Sequence, residues 1–170
     1  MSDIFFISDT HFGHKGVTEF LRADGTKVRP WNTTQEMDEA LVHNWNSVVK
    51  PNDKIYHLGD VCINRKALKT LGLLNGKKRL IKGNHDIFRI EEYLEYFEDV
   101  RAYHVMDKIL FSHMPVHPSQ KRRYVHNVHG HLHELTIEDD TWYTCISVEQ
   151  INFTPISYDD LKKRIYYDNA

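Results

Sequence analysis

Five short polar groups carry the chemistry of this 170-residue sequence: Asp9-Thr10-His11, Gly59-Asp60, Gly83-Asn84-His85-Asp86, Ser112-His113 and Gly130-His131-Leu132-His133. Each follows directly on a short apolar run. Carboxylates, an amide oxygen and imidazoles together suit borderline divalent ions such as Mn²⁺, Fe²⁺, Zn²⁺ or Ni²⁺, with no thiolate required. Asp9, His11, Asp60, Asn84, His85, His113, His131 and His133 are too many donors for one tetrahedral ion. They suit two ions about 3.5–4 Å apart that share a bridging carboxylate. Such a pair binds two phosphoryl oxygens, deprotonates a bridging water and aims it in line with the leaving oxygen. Asn84 offers a carbonyl oxygen to a hard ion. His85 could ligate a metal or carry a proton. Asp86, at the start of a helical stretch, reads as a helix cap.

The elements that must position these groups follow from periodicity. Ile4 to Ile7 is an apolar run of strand length, stopping at Ser8-Asp9. Residues 15–32 read as loop with one helical turn. Thr33 and Glu36 form a capping box for a helix with Met37, Leu41, Trp45 and Val48 on one face, closed by Pro51. Lys54 to Leu58 is a second strand. Residues 65–74 read as a helix packing Ala67, Leu68, Leu71 and Leu74, with Gly76 just beyond it. Leu80-Ile81 is a third strand. Residues 88–97 read as a helix with Ile90, Tyr93, Leu94 and Phe97 facing in. Val100 to Val105 reads as one short strand, and Lys108 to Phe111 as another. Residues 114–123 read as an exposed loop. Tyr124 to His129 is a strand that places His126 and His129 on one face, with His129 able to line a site. Trp142 to Val148 and Asn152 to Ser157 are late strands. Ser157 and Asp160 cap a last helix that turns Leu161 and Ile165 inward.

Strand-helix alternation argues an α/β fold. In open α/β sheets, ligands bind outside the carboxyl ends of the strands. If the five strands that precede the polar groups run parallel, all five groups meet at one edge. The length suits a single domain over residues 1–170. With 41% hydrophobic and 27% charged residues and a net charge of -2, there is no global basic field of the kind that drives non-specific nucleic-acid binding. Nothing resembles a membrane span or export signal, and Cys62 and Cys145 read as reduced thiols, so the expected location is the cytoplasm.

The five groups, in this order over residues 9 to 133, resemble the calcineurin-like metallophosphoesterase superfamily. The wider texture resembles its small bacterial and phage members: Ser8-Asp9-Thr10-His11-Phe12-Gly13-His14, His113-Met114-Pro115, and Ser147-Val148-Glu149-Gln150 running on to Asn152-Phe153-Thr154-Pro155. The resemblance implies a four-layer αββα sandwich, with two mixed sheets packed face to face and helices outside. It implies that Asp9, His11 and His133 hold one ion, that Asn84, His113 and His131 hold the other, and that Asp60 bridges them. His85 would stay free of metal and act as general acid or as a clamp on the phosphate, while a bridging hydroxide attacks. Mn²⁺ is the expected ion, with Fe, Zn, Ni or Mg as alternatives. The stretch Gly59-Asp60-Val61-Cys62-Ile63-Asn64-Arg65 departs from the pattern of protein serine/threonine phosphatases, which carry an Asp and an Arg at fixed places there. That favours a phosphodiesterase acting on nucleotide, cyclic-nucleotide or nucleic-acid-end esters over a protein phosphatase. A small-molecule phosphomonoesterase with the same core is the alternative, and a non-catalytic scaffold of the same fold a third.

Four further residues are candidate substrate contacts. His14 could reach a phosphate, or be a turn histidine beside Gly13. His117 has the same ambiguity in its Pro-rich loop. Arg122 and Arg123 belong to the basic triplet Lys121-Arg122-Arg123, which reads either as a solvated loop or as an electrostatic guide for an anion. Trp31 reads as a packed residue that could overhang the site, Cys62 as a small packed one. His43, His57 and His104 read as structural or exposed.

Overall fold

A computed structural model describes residues 2–137 and 140–167. Two sheets meet face to face. The first has the order β4 (Asp99–Arg101), β3 (Lys77–Ile81), β2 (Lys54–His57), β1 (Ile4–Ile7), β9 (Ile156–Ser157). Its first four strands are parallel, and β9 lies antiparallel to β1. The second sheet has the order β5 (His104–Met106), β6 (Ile109–Ser112), β7 (His126–His129), β8 (Tyr143–Cys145), with β5 antiparallel and the rest parallel. The five strands that carry the polar groups are therefore parallel within their sheets. A bridge between Ser8 and Ser147 ties the two sheets together just past the ends of β1 and β8.

Aromatic side chains join the sheets. Phe6 lies flat between Phe111, at 4.4 Å between ring centroids, and Tyr56 at 5.3 Å. Tyr56 in turn stacks on His104 at 4.5 Å. A fully buried ring of this kind contributes about 1.5–3 kcal/mol from area alone. On the outer face of the first sheet, α1 (Thr34–Val48) buries Met37, Leu41 and Trp45. Its capping box is formed as the sequence requires, Thr33 Oγ1 accepting from Glu36 N and Glu36 accepting from Thr33 N. Trp45 Nε1 donates to Asn75 O, which fixes the helix to the turn before β3. On the outer face of the second sheet, Asn127 accepts from Val116 N and donates to Leu110 O and Ser112 Oγ, pinning the 114–124 segment over β6. α3 (Tyr158–Tyr166) starts from Ser157 and buries Leu161 and Ile165.

Several elements differ from expectation for local reasons. Residues Arg65–Leu73 form a 3-10 helix and bury Ala67, Leu68 and Leu71. Apolar spacing of three and four residues does not separate 3-10 from α. The helix expected over 88–97 is one short α2 (Ile90–Leu94), in which Tyr93 is buried while Ile90 and Leu94 are exposed. The segment read as one strand over 100–105 is two, β4 ending the first sheet and β5 starting the second, so the chain crosses between sheets there. His126 and His129 are three residues apart and cannot share a strand face; His126 bonds Thr144 Oγ1 and His129 bonds Gly130 O. The late strands shrink to β8, after which the chain turns at Val148–Gln150, and to β9, which starts late because Asn152 and Phe153 have positive φ. His43 is exposed and Cys62 buried. No helix among the described residues is long and apolar enough to cross a membrane.

Candidate metal centre

Parallel strand ends put the polar groups on one edge, and tight turns aim them. Asp9, His11, Asp60, His131 and His133 all have φ between 50° and 69°. L-residues rarely adopt this left-handed region, and such strain persists only where the surroundings over-determine it. Here they do. Asp9 N donates to Gly59 O and His11 N to Asp60 O, so the turns after β1 and β2 lock each other. His131 N donates to Asp9 Oδ2, and His133 N to Ser147 Oγ.

Two clusters result. Asp9, His11 and His133 form one, and Asp60, His113 and His131 the other, with donor atoms inside each within 4.8 Å of one another. Asp60 faces both. Its Oδ2 lies 3.6 Å from His11 Nε2 and its Oδ1 3.4 Å from His113 Nε2. Asn84 Oδ1 joins the second cluster at 2.8 Å from His113 Nε2. His85 anchors to Asp60 only through its backbone, its N–H donating to Oδ1. Its ring is exposed at the rim, 5.7 Å from the ring of His11, and His14 lies on the same side at 5.5 Å from His11.

The donor set fits divalent ions. Both ring nitrogens of buried His11 and Oδ1 of buried Asp9 lack a hydrogen-bond partner. A structural residue would normally be satisfied at such depth; a neutral His11 carries its proton on one ring nitrogen and a lone pair on the other, so one imidazole nitrogen and Asp9 Oδ1 are open to a cation. Asp9 Oδ2 is engaged by Ser147 Oγ and His131 N, which leaves Oδ1 as the free donor. Burial and the nearby Arg29 charge push the pKa of His11 down to about 2, so its ring is neutral and able to ligate. Burial opposes ionisation of Asp60, yet the hydrogen bond and charge of His113 and the His85 N–H bring its pKa down to about 2. His113 is buried too, but Asp60, Asp9 and the Leu58 carbonyl raise its pKa. Its Nδ1–H donates to Leu58 O, directing Nε2 at Asp60 and Asn84. The site therefore attracts positive charge where its acceptors converge.

The structure brings together every residue expected to hold metal, together with His85 and His14. No described contact joins His117, Arg122 or Arg123 to the clusters: His117 caps the exposed Pro118–Arg122 turn through Ser119 N, and Arg123 lies over the Tyr124 ring. His129 contacts Gly130 O and Tyr143. Trp31 packs edge-on against Phe153. The expectation that Asp86 caps a helix is corrected. Its carboxylate accepts from Asp60 N and Gly83 N at 2.8 Å and from Val61 N at 2.9 Å, four residues before α2 begins. Asp86 therefore clips the turn that carries Asp60 to the turn that carries Asn84.

Three supporting residues escape sequence reasoning. Buried Arg29 donates from Nε to Glu149 Oε1, from NH1 to Thr10 O and from NH2 to Asp9 O. Glu149 Oε1 also accepts from His133 Nδ1 at 3.1 Å. Ser147 Oγ donates to Asp9 Oδ2. Ser147 and Glu149 follow β8 as the other polar groups follow their strands, so the same rule applied once more would find them. Arg29, in an irregular segment, carries no such signal.

Packing at the two turns is tight. A Cβ on Gly83 would lie 2.2 Å from Asp60 Oδ1, whereas one on Gly72 would meet only Tyr96 at 3.6 Å. Gly83→Ala is therefore expected to weaken Mn²⁺ binding by about tenfold or more, and Gly72→Ala to leave it unchanged, as read by calorimetric titration. Beyond the Gly83-Asn84 turn lies a groove of about 630 Å³ bordered by Lys82, Asn84, Ile87, Ile90 and Arg101.

Comparison with known proteins agrees with this layout. The family model for calcineurin-like phosphoesterases matches residues 2–166. An uncharacterized protein of Methanocaldococcus jannaschii is 33% identical over 184 residues, covering 97% of this chain and 92% of its own. The gene 66 protein of Mycobacterium phage L5 is 35% identical over 91 residues, 51% of this chain and 41% of the phage protein. The crystal structure of a protein of unknown function from Aquifex aeolicus superposes with a TM-score of 0.75 at 28% identity, covering 96% of this chain and 99% of that one.

Proposed function

The chain belongs to the calcineurin-like phosphoesterase family, and on that premise we propose that it is a two-metal phosphodiesterase acting on nucleotide, cyclic-nucleotide or nucleic-acid-end esters. The observation that carries the reading is Asp60, which presents one carboxylate oxygen to each cluster. Asp9, His11 and His133 would hold one ion, Asn84, His113 and His131 the other, and Asp60 both. Two such ions, Mn²⁺ being the expected pair, supply Lewis acidity to the phosphoryl oxygens and lower the pKa of a water. The chain's own part is to fix these donors on the turns that follow five strands, with Asp86 holding the Asp60 and Asn84 turns together. His85, exposed at the rim beside the His11 ring, would give a proton to the departing oxygen. His14 lies beside it as a substrate contact.

Preference for a diester rests on charge. A phosphomonoester is close to a dianion at neutral pH and a diester a monoanion. Arg65, the arginine nearest the Gly59-Asp60 motif in sequence, is paired with Glu92 and stacked on Phe88 rather than aimed at the cluster. Arg29 is buried and engaged by Glu149 and two carbonyls. The groove beside Asn84 has room for a nucleoside-sized leaving group, with Lys82 at its edge. In Mn²⁺, bis-(p-nitrophenyl) phosphate is expected to turn over at least about tenfold faster, by kcat/KM, than p-nitrophenyl phosphate. The reverse order would assign a phosphomonoesterase. A panel of cyclic nucleotides, dinucleotides and single-stranded ends then identifies the leaving group.

A further inference from the structure

We infer that the buried Arg29–Glu149 pair is a positioning device for one half of the metal centre, fixing the imidazole of His133 and the Asp9–His11 turn in a single rigid unit. The inference rests on the two-metal reading of the site and assigns a role to two residues outside the ligand set.

Glu149 Oε1 stands between two donors, Arg29 Nε at 2.8 Å and His133 Nδ1 at 3.1 Å. With the proton on Nδ1, the lone pair of His133 is on Nε2. A carboxylate behind a ligating imidazole fixes its tautomer and orientation and raises its basicity. The rest of His133 is held by the same short segment: its N–H donates to Ser147 Oγ, and its carbonyl accepts from Gln150 Nε2. Arg29 carries the constraint across the site. Its two terminal nitrogens grip Asp9 O and Thr10 O, the carbonyls of the left-handed turn that sets Asp9 and His11. One guanidinium thus reaches Asp9 directly, His11 through the Thr10 carbonyl that precedes it, and His133 through Glu149.

Both side chains are buried, Arg29 to 0% and Glu149 to 2% exposure. A carboxylate at that depth is costly without a cation beside it, so Arg29 keeps Glu149 an acceptor. Donors on three separate nitrogens also explain why an arginine stands here: lysine presents its three N–H groups from one nitrogen, whereas the planar guanidinium spreads them over Nε, NH1 and NH2. The other cluster is built differently. His113 is backed by the neutral Leu58 carbonyl, and among the described contacts none joins Arg29 to it. Loss of the pair should therefore affect one half-site selectively.

Glu149→Gln preserves shape and removes the charge; Arg29→Lys preserves charge and removes the fork. In calorimetric titration with Mn²⁺ alone, each variant is expected to weaken one of the two equivalents by about ten- to a hundredfold and leave the other unchanged. In metal-free wild type at alkaline pH, long-range ¹H–¹⁵N spectra should report His133 as the Nδ1–H tautomer, and Glu149→Gln should shift it toward a mixture. Equal weakening of both equivalents together with a lowered Tm would assign the pair to general stability and overturn the inference. So would a wild-type His133 in the Nε2–H tautomer, which is read without any variant. A protein that shows the graded titration and the tautomer but hydrolyses no phosphate ester refutes the proposed function and leaves the positioning role standing. A hydrolase whose Glu149→Gln titration and tautomer match wild type does the opposite.

Discussion

Asp60→Ala is expected to reduce phosphoester turnover to background and to leave the purified protein with far less than two equivalents of bound Mn²⁺. Among the described residues, Asp60 is the one whose carboxylate lies within 4 Å of a histidine nitrogen of each cluster. Asp60 Oδ2 is 3.6 Å from His11 Nε2 and Oδ1 is 3.4 Å from His113 Nε2. On the proposed two-metal reading the change removes a ligand from each half and the negative charge that offsets two dications at close range, a repulsion that grows as the local dielectric falls. The same carboxylate accepts the His85 N–H, so its loss also frees the turn that carries Asn84 and His85. Asp60→Asn separates charge from shape. An amide keeps one carbonyl oxygen for one ion and presents NH₂ to the other, so at most one equivalent should remain and turnover should still be at background. Metal content after desalting and kcat on a bis-aryl diester are the two measurements. Retention of both ions and of wild-type kcat in Asp60→Asn would show that the ions, if they bind as a pair, are not joined through this residue.

The convergence of these polar groups was legible in the sequence because the relevant signal is local. Each candidate ligand follows its strand within a few residues, and a parallel strand delivers its carboxyl end to a shared edge whatever lies between. Less legible was everything that depends on what a buried group meets across the fold. Asp86 has the composition of a cap, and only the structure shows three backbone N–H groups from two turns converging on it. Ile90 and Leu94 have the spacing of a core face, but α2 stops after five residues and turns only Tyr93 inward. The 100–105 segment has strand propensity throughout, and propensity does not say that the chain leaves one sheet and enters another midway. Arg29 is the extreme case. A charged residue in an irregular loop reads as exposed, yet it is fully buried. Its burial follows from three acceptors gathered from positions 9, 10 and 149, a long-range coincidence with no local signature.

His85 tests how the site completes the reaction once the ligands are in place. His85→Ala is expected to retain two equivalents of Mn²⁺ and the wild-type fold while losing about 10²- to 10⁴-fold in kcat on an alkyl or nucleoside leaving group. On a p-nitrophenyl leaving group the loss should be small, because that oxyanion departs without a proton. The reasoning is geometric. His85 is the one histidine of the Gly83-Asn84-His85-Asp86 turn, and its backbone is fixed by the Asp60 bond while its ring stays at the rim beside His11 and His14. His85 is exposed, whereas His11 and His113 are buried and His131 and His133 half-buried. A slope of log kcat against leaving-group pKa that steepens in His85→Ala identifies proton donation, since the missing proton matters more as the leaving oxygen becomes more basic. An equal loss on every substrate, with the slope unchanged, identifies instead a positive charge or hydrogen bond directed at the phosphate itself. Full activity on alkyl esters would leave His85 with no part in the chemistry and shift attention to His14, the next ring on the same side of the cluster.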